Sequence, residues 1–420
     1  LFIEIICCIL SIRFSIMADN KTILIVSECF YPEEFKINDL ALSWKNKGYD
    51  VDVLTLVPSY PLGKVFDGYK NNLISKDTYH GVNIFRVRAV TGYRDSKVKK
   101  ILKYINFMLL GSVVSVFIGR KYDYVFGFNI SALTSMVPAV IVRKLYKTPL
   151  MFWAQDLWPD SVYAYGFKKT KLLKVTLDVF VRFMYRNISA IAISGRGFES
   201  KLKPHVDSNL QFNYLPNWAD ELNMELNPAV LSIEKKVHFT FAGNVGKVQN
   251  LENIISAFCL LSDKFQSNSQ LNIIGDGSNL NNIKSLANNN SNIVFHGKQK
   301  REDMAMFFKA SDFLIVSLID NPIFKLTVPA KTQTYISAMK PILAIIKGDT
   351  ANIIIENNLG LQVDPSNIEA ISKLFEECID MDDHMISKYT ENCDYLLQTT
   401  FNKDKIINKM TEVLIDRPSF

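Results

Sequence analysis

Short apolar runs alternate with amphipathic runs of helical length along almost the whole chain. Each apolar run has the length of a strand buried on both faces, and the segments between them are long enough for crossover helices. This alternation predicts an α/β fold with parallel sheets, which bind ligands at the carboxyl ends of their strands. The expected strands cover residues 21–27, 50–57, 122–128, 149–154, 190–194, 239–242, 270–277, 292–297, 312–318, 340–346 and 359–363.

A turn-rich connector near residues 216–237 divides this alternation into two parts. A chain of 420 residues has room for two domains of about 200 residues, each large enough for its own core. The sequence leaves open whether the helical C-terminal end crosses back to the first domain. We therefore predict two α/β domains and a helical C-terminal segment, over residues 17–220, 221–395 and 396–420.

The stretch that precedes Met17 matches neither a secretory signal nor a comfortable membrane span. Residues 1–16 are apolar, but Glu4 comes before any cation and no small-residue cleavage site follows. The stretch is also shorter than the roughly 20 residues that a transmembrane helix needs. We expect a start-site artefact or a frayed leader, with a membrane anchor as the alternative.

Charge is divided unequally between the two predicted domains. Residues 1–220 have a net charge of +11, whereas residues 221–420 have a net charge of −5. The basic first domain is therefore expected to meet an anionic surface, either nucleic acid or an acidic membrane leaflet. Since the sequence has no zinc-finger or RNP-type motif, we favour the membrane and predict no nucleic-acid partner. The six cysteines form no Cys-x-x-Cys pair, which indicates a reducing compartment without structural zinc.

Residues 95–122 combine a basic start with an apolar continuation. Four lysines lie between Lys97 and Lys103, and almost every residue from Ile105 to Ile118 is apolar. Three structures fit this pattern: a buried crossover helix, a helix that also lies on a membrane through its basic end, and a true span. A second lysine cluster at residues 168–174 fits the same membrane surface or a solvated helix face.

The segment FTFAGNVGKVQN, residues 239–250, ends an apolar run in two glycines, a lysine and amide side chains. Glycines allow a tight turn and let a ligand approach main-chain N–H groups. A helix that begins near Asn250 would direct its positive end toward this loop. These features predict an anion site, and the usual anion at such a turn is a phosphate. Lys247 would add positive charge, and Gln249 would donate to the phosphate or cap the helix.

Two further strand ends carry turns of the same kind. In LNIIGDGSNL, residues 271–280, the apolar run ends in Gly275 and Gly277. In IFKLTVPAKTQ, residues 323–333, Pro329 fits the first turn of a helix because its missing N–H would be unpaired there. The other residues placed at this turn are Thr327, Val328, Lys331 and Gln333. Three such turns in one domain predict a nucleotide-sugar site.

Seven landmarks then occur in a fixed order: YPEEFKINDLA, VPSYPLGKVFDGYK, AQDLWPDS, LPNWAD, FAGNVGKVQNL, IIGDGS and LTVPAKTQTYISAMKPILA. On these landmarks the sequence resembles the retaining glycosyltransferases of family 4, which have the GT-B fold. It is most similar to the branch that includes the WbuB-type enzymes of bacterial surface polysaccharide synthesis. The likeness runs from Met17 to the C-terminal end.

The resemblance implies two Rossmann-like domains that face each other across a cleft. The second domain would bind the nucleotide-activated sugar, the first would bind the acceptor, and no metal or other cofactor would be required. The implied reaction is retaining hexosyl transfer from a UDP-sugar to a polyprenyl-diphosphate-linked saccharide of O-antigen or capsule. The enzyme would be bound peripherally at the cytoplasmic face of the bacterial inner membrane.

The resemblance also implies roles for individual residues. Basic and amide groups would neutralise the diphosphate leaving group, and the two residues after strand 292–297 would lie near the base. The implied donor contacts are Gly243, Asn244, Gly246, Gln249, Gly275, Asp276, Gly277, Lys298, Gln299, Thr327, Val328 and Gln333. The implied catalytic residues are Gln155, Asp156, Lys247 and Lys331.

The donor site departs from the common family pattern in its charge. Asn244 and Gln249 stand where an arginine and a lysine are usual, so the positive charge is expected to shift to Lys247 and Lys331.

Two family glutamates are also missing. They usually contact the donor sugar and the ribose, and Leu326 and Thr334 stand in their places. WbuB-type relatives share this loss and often use N-acetylated 6-deoxy-amino sugars, so we favour a donor such as UDP-L-FucNAc.

The first domain also departs from the family pattern, at the end of the predicted strand 149–154. The family pattern His-Asp is replaced by Gln155-Asp156. Gln155 would hydrogen-bond to the transferring sugar, and Asp156 would accept from a sugar or acceptor hydroxyl or cap the following turn. Asn38 and Asp39 are expected to contact the acceptor or the donor, with helix capping as an equal alternative.

Two other functions compete with the transferase. A sugar-nucleotide epimerase shares the general α/β pattern, but its active-site pattern is not evident here. A catalytically inactive homologue that binds a glycan or holds a partner enzyme fits the missing glutamates and the missing histidine.

Overall fold

The computed structural model describes residues 20–94, 96–164, 168, 170–222, 225, 227, 231 and 237–415. The predicted leader at residues 1–16 lies outside the described residues. Contacts group the chain into two compact units. The first contains the residues up to Ser194, Phe198–Leu215 and the residues from Ile407 onward, and the second contains Gly195–Gly197 and Pro216–Ile406. The main division falls five residues before the boundary predicted at residue 220.

The first unit is built on a sheet of eight strands in the order β3-β4-β2-β1-β5-β6-β7-β8. All neighbours are parallel except β3 and β4, which are antiparallel. The strands are β1 (Thr22–Ser27), β2 (Asp50–Leu56), β3 (Ile74–Tyr79), β4 (Val82–Val87), β5 (Tyr124–Asn129), β6 (Leu150–Ala154), β7 (Ala190–Ile193) and β8 (Phe212–Tyr214). Its helices are α1 (Lys36–Asn46), α2 (Lys97–Ile118), α3 (Val137–Tyr146), α4 (Asp160–Ala164), α5 (Lys171–Tyr185) and α6 (Phe198–Leu202).

The second unit has a parallel sheet of six strands in the order β11-β10-β9-β12-β13-β14. The strands are β9 (Val237–Ala242), β10 (Ser269–Ile274), β11 (Ile293–Gly297), β12 (Phe313–Ser317), β13 (Ile342–Ile345) and β14 (Gly360–Gln362). The helices are α7 (Leu251–Cys259), α8 (Asp263–Ser267), α9 (Leu280–Leu286), α10 (Met304–Ala310), α11 (Ala330–Ser337), α12 (Asp349–Glu356), α13 (Ile368–Ile379), α14 (Asp383–Gln398) and α15 (Lys403–Ile415).

Helices cover both faces of the second sheet, as its continuous apolar strands require. One face packs Phe239 and Phe313 against Phe375 of α13. The other face packs Leu314 and Val316 against α11, α12 and α14. Because the four inner strands, β10, β9, β12 and β13, are buried on both sides, the loops at their carboxyl ends have a rigid support.

All eleven predicted strands are present, but β3, β4 and β8 were not predicted. The strand β3 has the polar sequence ISKDTY and lies at the edge of its sheet, where one face is exposed. It reaches β4 through a tight turn in which His80 and Gly81 both have positive φ angles. An edge strand of this kind needs no apolar run, which explains why β3 was not predicted. The strand β4, VNIFRV, is largely apolar and buried, so its signal was present in the sequence and was overlooked.

The long helix α2 has one buried face and one exposed face. Lys103, Phe107, Gly111 and Val114 lie on the buried face, and a Cβ atom at Gly111 would come within 2.9 Å of Pro138 in α3. The exposed face carries Val98, Ile101, Leu102, Ile105, Leu109, Val113, Val116 and Phe117. In the described part of the chain, residues 97–121 form one helix long and apolar enough to cross a membrane by length and composition. The pattern of burial shows a crossover helix with an uncovered apolar row.

The last helix, α15, belongs mainly to the first unit. From Ile407 onward its residues group with the first unit, and Ile407 and Met410 are fully buried. The indole nitrogen of Trp44 in α1 donates to the hydroxyl of Thr411 at 2.8 Å. The chain therefore crosses back to the unit in which it began.

Candidate functional site

The strand order of the second unit determines where a ligand would bind. From β9 the chain runs outward through β10 to β11, and then returns to the other side of β9 with β12. A crevice forms at the carboxyl ends of two such neighbouring strands because their connections leave in opposite directions. The loops after β9 and β12 contain the first and third turns that the sequence predicts to be anion sites.

The loop after β9 is bonded to the loop after β10 through the backbone. Gly243 N donates to Ile274 O at 2.9 Å, and Val245 N donates to Asp276 O at 2.9 Å. A Cβ atom at Gly275 would lie 1.9 Å from Gly243 O, and one at Gly277 would lie 2.3 Å from Val245 O. Gly275 and Gly277 are thus required for the close packing of the two loops. Their contact with a nucleotide stays a prediction.

Lys331, in the first turn of α11, reaches the loop after β9. Its Nζ lies 3.8 Å from the ring centroid of Phe241 and 3.2 Å from Oε1 of Gln249. A Cβ atom at Gly243 would be only 3.3 Å from the same nitrogen. Three of the predicted donor-site residues are therefore brought together by the fold.

The electrostatic state of Lys331 is unusual. Burial lowers the pKa of its ammonium group to about 7, because a charged group loses hydration there. No carboxylate among the described residues forms an ion pair with it. An anion placed beside Nζ would supply the missing counter-charge and raise this pKa.

The other residues of the same loop differ in their exposure. Lys247 and Asn244 are exposed, and Gly246 is buried against the Asn244 side chain. The helix α7 begins at Leu251, after Asn250 in the left-handed conformation. Of the two lysines to which the positive charge is expected to shift, Lys331 is held beside Gly243 and Gln249, whereas Lys247 is exposed.

The turn before α11 differs in detail from its prediction. Pro329 precedes the first helical residue as the N-cap, so it is not inside the first turn. The amide of Thr327 donates to Phe324 O at 3.4 Å, so this N–H already has a partner. Gln333 is buried, and in the amide orientation that satisfies its hydrogen bonds it donates to Pro329 O and Ala330 O. It therefore holds the start of its own helix. Val328 lies between Thr327 and Pro329, and its contact with the diphosphate stays a prediction.

The residues predicted to lie near the base follow β11. Gln299 Nε2 donates to His296 O at 2.6 Å, and the ring of His296 hydrogen-bonds to Asn272 Oδ1 at 2.9 Å. Lys298 is exposed beside them, and Asp276 is exposed on the neighbouring loop, where its carboxylate accepts from Gly277 N at 2.7 Å. This group borders the same carboxyl edge of the sheet.

In the first unit, Gln155 and Asp156 lie at the carboxyl end of β6. The backbone N–H of Gln155 donates to Asn129 O at 2.9 Å, and Asp156 Oδ1 accepts from the backbone N–H of Leu157 at 2.9 Å. Burial raises the pKa of Asp156 to about 6, although hydrogen bonds from Leu157 and Ser161 oppose this shift. The contacts match the capping alternative, and the raised pKa is also typical of a group that exchanges a proton.

Asn38 and Asp39 begin α1. Asn38 Nδ2 donates to Glu33 O at 2.7 Å, and its Oδ1 accepts from Tyr31 N at 3.2 Å. Asn38 thus closes the loop between β1 and α1. Asp39 lies in the first turn of the helix, where a carboxylate is favourable.

Sequence reasoning missed a buried polar group at the switch point between β1 and β5. Glu28 follows β1, forms an ion pair with Lys103 at 2.5 Å and accepts a hydrogen bond from Ser131 after β5. Glu33 accepts from the amides of Ser59 and Tyr60 at 2.8 and 2.6 Å. The available signal was the placement of two glutamates, Glu28 and Glu33, directly after a buried strand.

Comparison with known proteins supports the assignment of the fold. Residues 223–393 match the family model of glycosyl transferases group 1. The chain is 26% identical over 276 residues to the probable glycosyltransferase WbjE of Pseudomonas aeruginosa, which covers 63% of this chain and 68% of WbjE.

Two of the solved structures that match along nearly the whole chain illustrate the fold. One is Anabaena HepE in complex with UDP and glucose, at 12% identity and a TM-score of 0.66, covering 94% of this chain and 100% of HepE. The other is WaaG, a glycosyltransferase involved in lipopolysaccharide biosynthesis, at 15% identity and a TM-score of 0.61, covering 94% and 99%. The fold is GT-B. Together with the family match, it supports a GT-B glycosyltransferase that transfers a hexose. Membership of family 4 and of the WbuB-type branch stays a prediction.

Proposed function

We propose that this chain is a retaining glycosyltransferase of family 4 that transfers a sugar from a UDP-sugar to a polyprenyl-diphosphate-linked saccharide. The observation that carries the proposal is the ammonium group of Lys331. It lies beside Gly243 and Gln249 at the switch point of the second sheet, without an anionic partner among the described residues. A diphosphate provides that counter-charge, and its neutralisation is what the departure of a nucleotide requires.

The nucleotide part of the proposal is supported by the structural relatives. HepE has been solved with UDP and with UDP and glucose, and the trehalose-6-phosphate synthase of E. coli with UDP-2-fluoro glucose. The WbuB-type resemblance favours an N-acetylated 6-deoxy-amino sugar such as L-FucNAc on this nucleotide. The role in O-antigen or capsule synthesis rests on the same resemblance, and WaaG provides a structural relative from lipopolysaccharide biosynthesis.

A thermal-shift panel of UDP-, GDP- and dTDP-sugars tests the donor. A UDP-sugar should raise the melting temperature of the wild-type protein, and Lys331→Met should abolish most of this shift while folding normally. The anomeric configuration of the product, read by NMR, then tests retention. Stabilisation by none of the panel would contradict the proposed donor class.

If Lys331 and amide groups neutralise the diphosphate leaving group, transfer should not need a divalent metal. Within the described residues, no group of three or more His, Cys, Asp or Glu side chains could hold a metal ion. Transfer should survive excess EDTA. Full loss of activity that manganese or magnesium restores would show that the leaving group is neutralised in another way.

The part of the proposal that concerns the acceptor has the first unit bound to the cytoplasmic face of the inner membrane. Its support is the net charge of +11 over residues 1–220 and the exposed apolar row of α2. A second exposed row lies on α5 and consists of Leu172, Val175, Val179 and Phe183. Helix α3 contacts both neighbours, since the Tyr146 hydroxyl donates to Val116 O and Lys144 lies 5.8 Å over the Phe183 ring. Apolar rows with lysines beside them suit an anionic interface.

One part of the predicted basic patch needs correction. Lys103 is buried and paired with Glu28, so it cannot meet lipid phosphates. Lys97, Lys99 and Lys100 begin α2, and of the second cluster Lys169 lies outside the described residues. The attraction to the membrane therefore depends more on apolar surface and less on charge than the sequence suggests.

The second candidate function is an inactive homologue that binds a glycan or a partner enzyme. The replacement of the two family glutamates by Leu326 and Thr334 favours it. Donor hydrolysis separates the two functions, because a transferase releases nucleotide slowly from its true donor and an inactive homologue does not.

A further inference from the structure

A cavity of about 700 Å³ lies between α3 and α5 of the first unit, and its volume is typical of a ligand site. Lys144 and Arg182, two of its lining residues, belong to the last turns of these helices. Each helix leads into the amino end of the next strand, β6 or β7. The cations of the cavity therefore lie toward the amino edge of the sheet, whereas Gln155 and Asp156 lie at its carboxyl edge.

One wall of the cavity is apolar and belongs to the exposed row of α5. Val175, Val179 and Phe183 line the cavity, and all three are exposed. Lys144 Nζ lies 5.8 Å over the Phe183 ring, so a cation–π contact joins α3 to α5 across this wall. Because the same row is proposed to lie against the membrane, a molecule in the cavity would meet lipid along one side.

The polar part of the lining carries charges of both signs. Arg186 and Asp207 are partners at 3.7 Å, so each of them has a counter-charge. Lys144, Arg182 and Asp178 differ, because none of the three forms an ion pair with any residue that the structure describes. Asp178 and Arg182 lie one helical turn apart on the same face of α5, where such a pair could form. The cavity therefore has two cations and one carboxylate without counter-charges.

The neighbouring His205 does not neutralise Asp178. Burial lowers the pKa of the His205 imidazole, although the nearby carboxylates of Asp178 and Asp160 would raise it. The lowered pKa leaves this imidazole neutral at pH 7, so it supplies no counter-charge to the cavity.

A ligand that matches this lining has an anionic group, a cationic group and an apolar tail. A purely anionic ligand would pair with Lys144 and Arg182, but it would also lie beside Asp178 and the carbonyl ends of two helices, which repel negative charge. A quaternary ammonium group has no N–H to donate to a carboxylate, whereas a primary ammonium group has three. Phosphate and primary ammonium occur together in the ethanolamine phospholipids.

We infer that the cavity between α3 and α5 binds the headgroup of one phosphatidylethanolamine molecule, with its phosphate at Lys144 and Arg182 and its ammonium group at Asp178. The acyl chains then lie along Val179 and Phe183. The inference rests on the membrane contact of the proposed function and specifies the lipid that is recognised there. A net positive charge alone would not select this lipid, because its headgroup is neutral overall.

Sedimentation of the full chain with three kinds of vesicle tests this site: phosphatidylcholine alone, phosphatidylcholine with phosphatidylethanolamine, and phosphatidylcholine with phosphatidylglycerol. The first two have the same neutral surface, so general charge attraction does not distinguish them. The wild-type chain should bind the vesicles with phosphatidylethanolamine about tenfold more tightly than phosphatidylcholine alone, as expected for a hydrogen bond between charged groups. Asp178→Asn should remove this preference without weakening the binding to phosphatidylglycerol vesicles. A preference caused by altered lipid packing would persist in this variant.

Matched variants control for the change in net charge. Asp263→Asn alters an exposed carboxylate of the second unit and should keep the preference for phosphatidylethanolamine. Lys144→Gln should reduce the preference, because the phosphate loses one of its two cations. Lys264→Gln is its control and should not, since Lys264 makes a similar cation–π contact, 5.0 Å from the Phe265 ring, in the second unit. Melting temperatures with and without a UDP-sugar show whether each variant is folded and retains its donor site.

The possible failures are distinct. If the wild-type chain binds none of the three kinds of vesicle, the membrane contact fails and this inference fails with it, whereas stabilisation by a UDP-sugar would still support the transferase. If the wild-type chain binds phosphatidylglycerol vesicles but does not distinguish the two neutral kinds, only the headgroup site is overturned. A preference for phosphatidylethanolamine that persists in Asp178→Asn overturns it as well.

Discussion

The ammonium nitrogen of Lys103 lies 2.5 Å from Oε1 of Glu28, and both side chains are almost completely buried. Burial alone would lower the pKa of Lys103, but the charge and hydrogen bond of Glu28 outweigh it and raise this pKa above its ordinary value. The Tyr93 ring, 4.5 Å from the same nitrogen, adds a cation–π contact. The pair fixes α2 against the carboxyl end of β1.

Removing one member of this pair should destabilise the first unit strongly. Lys103→Met leaves the Glu28 carboxylate buried without its counter-charge, and we expect a loss of about 3–5 kcal/mol of unfolding free energy. Urea denaturation measures the change. The double variant Glu28→Gln/Lys103→Met should recover a large part of the loss. A single variant as stable as the wild type would show that the two groups are not paired in solution.

The affinity for a UDP-sugar should fall as the pH rises above 7. In the free protein Lys331 loses its proton with a pKa of about 7. A bound diphosphate favours the charged form and raises this pKa, so binding above pH 7 takes up one proton. The dissociation constant should therefore rise by up to about tenfold per pH unit between pH 7 and the pKa of the complex.

The matched controls for this pH dependence are two variants of the same residue. Lys331→Arg keeps its charge throughout, so its affinity should be nearly independent of pH. Lys331→Met should bind roughly 1–3 kcal/mol more weakly at pH 7. Lys247→Ala should have a smaller effect than Lys331→Met, because Lys247 is exposed. A wild-type affinity that does not change between pH 7 and 9 would contradict the assignment of Lys331.

Two glycines of the second unit should tolerate alanine very differently. At Gly275 the added Cβ would lie 1.9 Å from a backbone oxygen, and the φ angle is +134°, so Gly275→Ala should cost at least about 2 kcal/mol. At Gly246 the nearest atom is the flexible end of the Asn244 side chain, so Gly246→Ala should be nearly neutral. Thermal unfolding of both variants checks the order. Equal losses would argue against the close packing of the two loops.

Sedimentation with liposomes tests the membrane proposal, using a chain that begins at Met17. Binding to anionic vesicles should decrease as salt screens the lysines over about 8 Å at physiological ionic strength. Leu109→Glu/Phe117→Glu should reduce binding further, because both side chains lie on the exposed apolar row of α2. Tyr395→Glu, an exposed position in the second unit, is the control and should bind normally.

The charge contribution is tested by a separate variant. Lys97→Glu/Lys99→Glu/Lys100→Glu omits Lys103, which would unfold the protein for an unrelated reason. Equal binding of the wild type to neutral and anionic vesicles would indicate a purely hydrophobic attachment. The absence of binding to either kind of vesicle would contradict membrane docking.

The sequence predicted the parallel core strands well because their signal is local. A run such as Phe239–Ala242 is apolar on both faces, and Gly243 ends it. The edge strand β3 was missed because its alternating polar sequence resembles a loop. The sequence predicted an anion site from glycines and Lys331, and Gly243 and Lys331 lie near one another in the fold because each follows a central strand.

The contacts that the sequence did not reveal are long-range. Nothing in the local pattern around Lys103 distinguishes a buried ion pair from a solvated helix face, since its partner lies 75 residues earlier. The same is true of Asp220, which accepts a hydrogen bond from the hydroxyl of Thr334, 114 residues later in the chain. Gln333 was predicted to contact the donor because the side-chain amide of a residue near a helix start can point to a ligand or to its own helix. Only the packing around it, which the sequence does not show, decides between these two directions.

The return of α15 to the first unit has a consequence for synthesis on the ribosome. Trp44 is fully buried and hydrogen-bonded to Thr411, so the first unit lacks part of its core until the chain has been translated through residue 411. During synthesis the N-terminal half therefore stays incomplete while the second unit is translated. The residues of that second unit are contiguous apart from Gly195–Gly197. A stop codon shortly before residue 407 would therefore destabilise mainly the first unit, which is synthesised first, because it removes part of that unit's core.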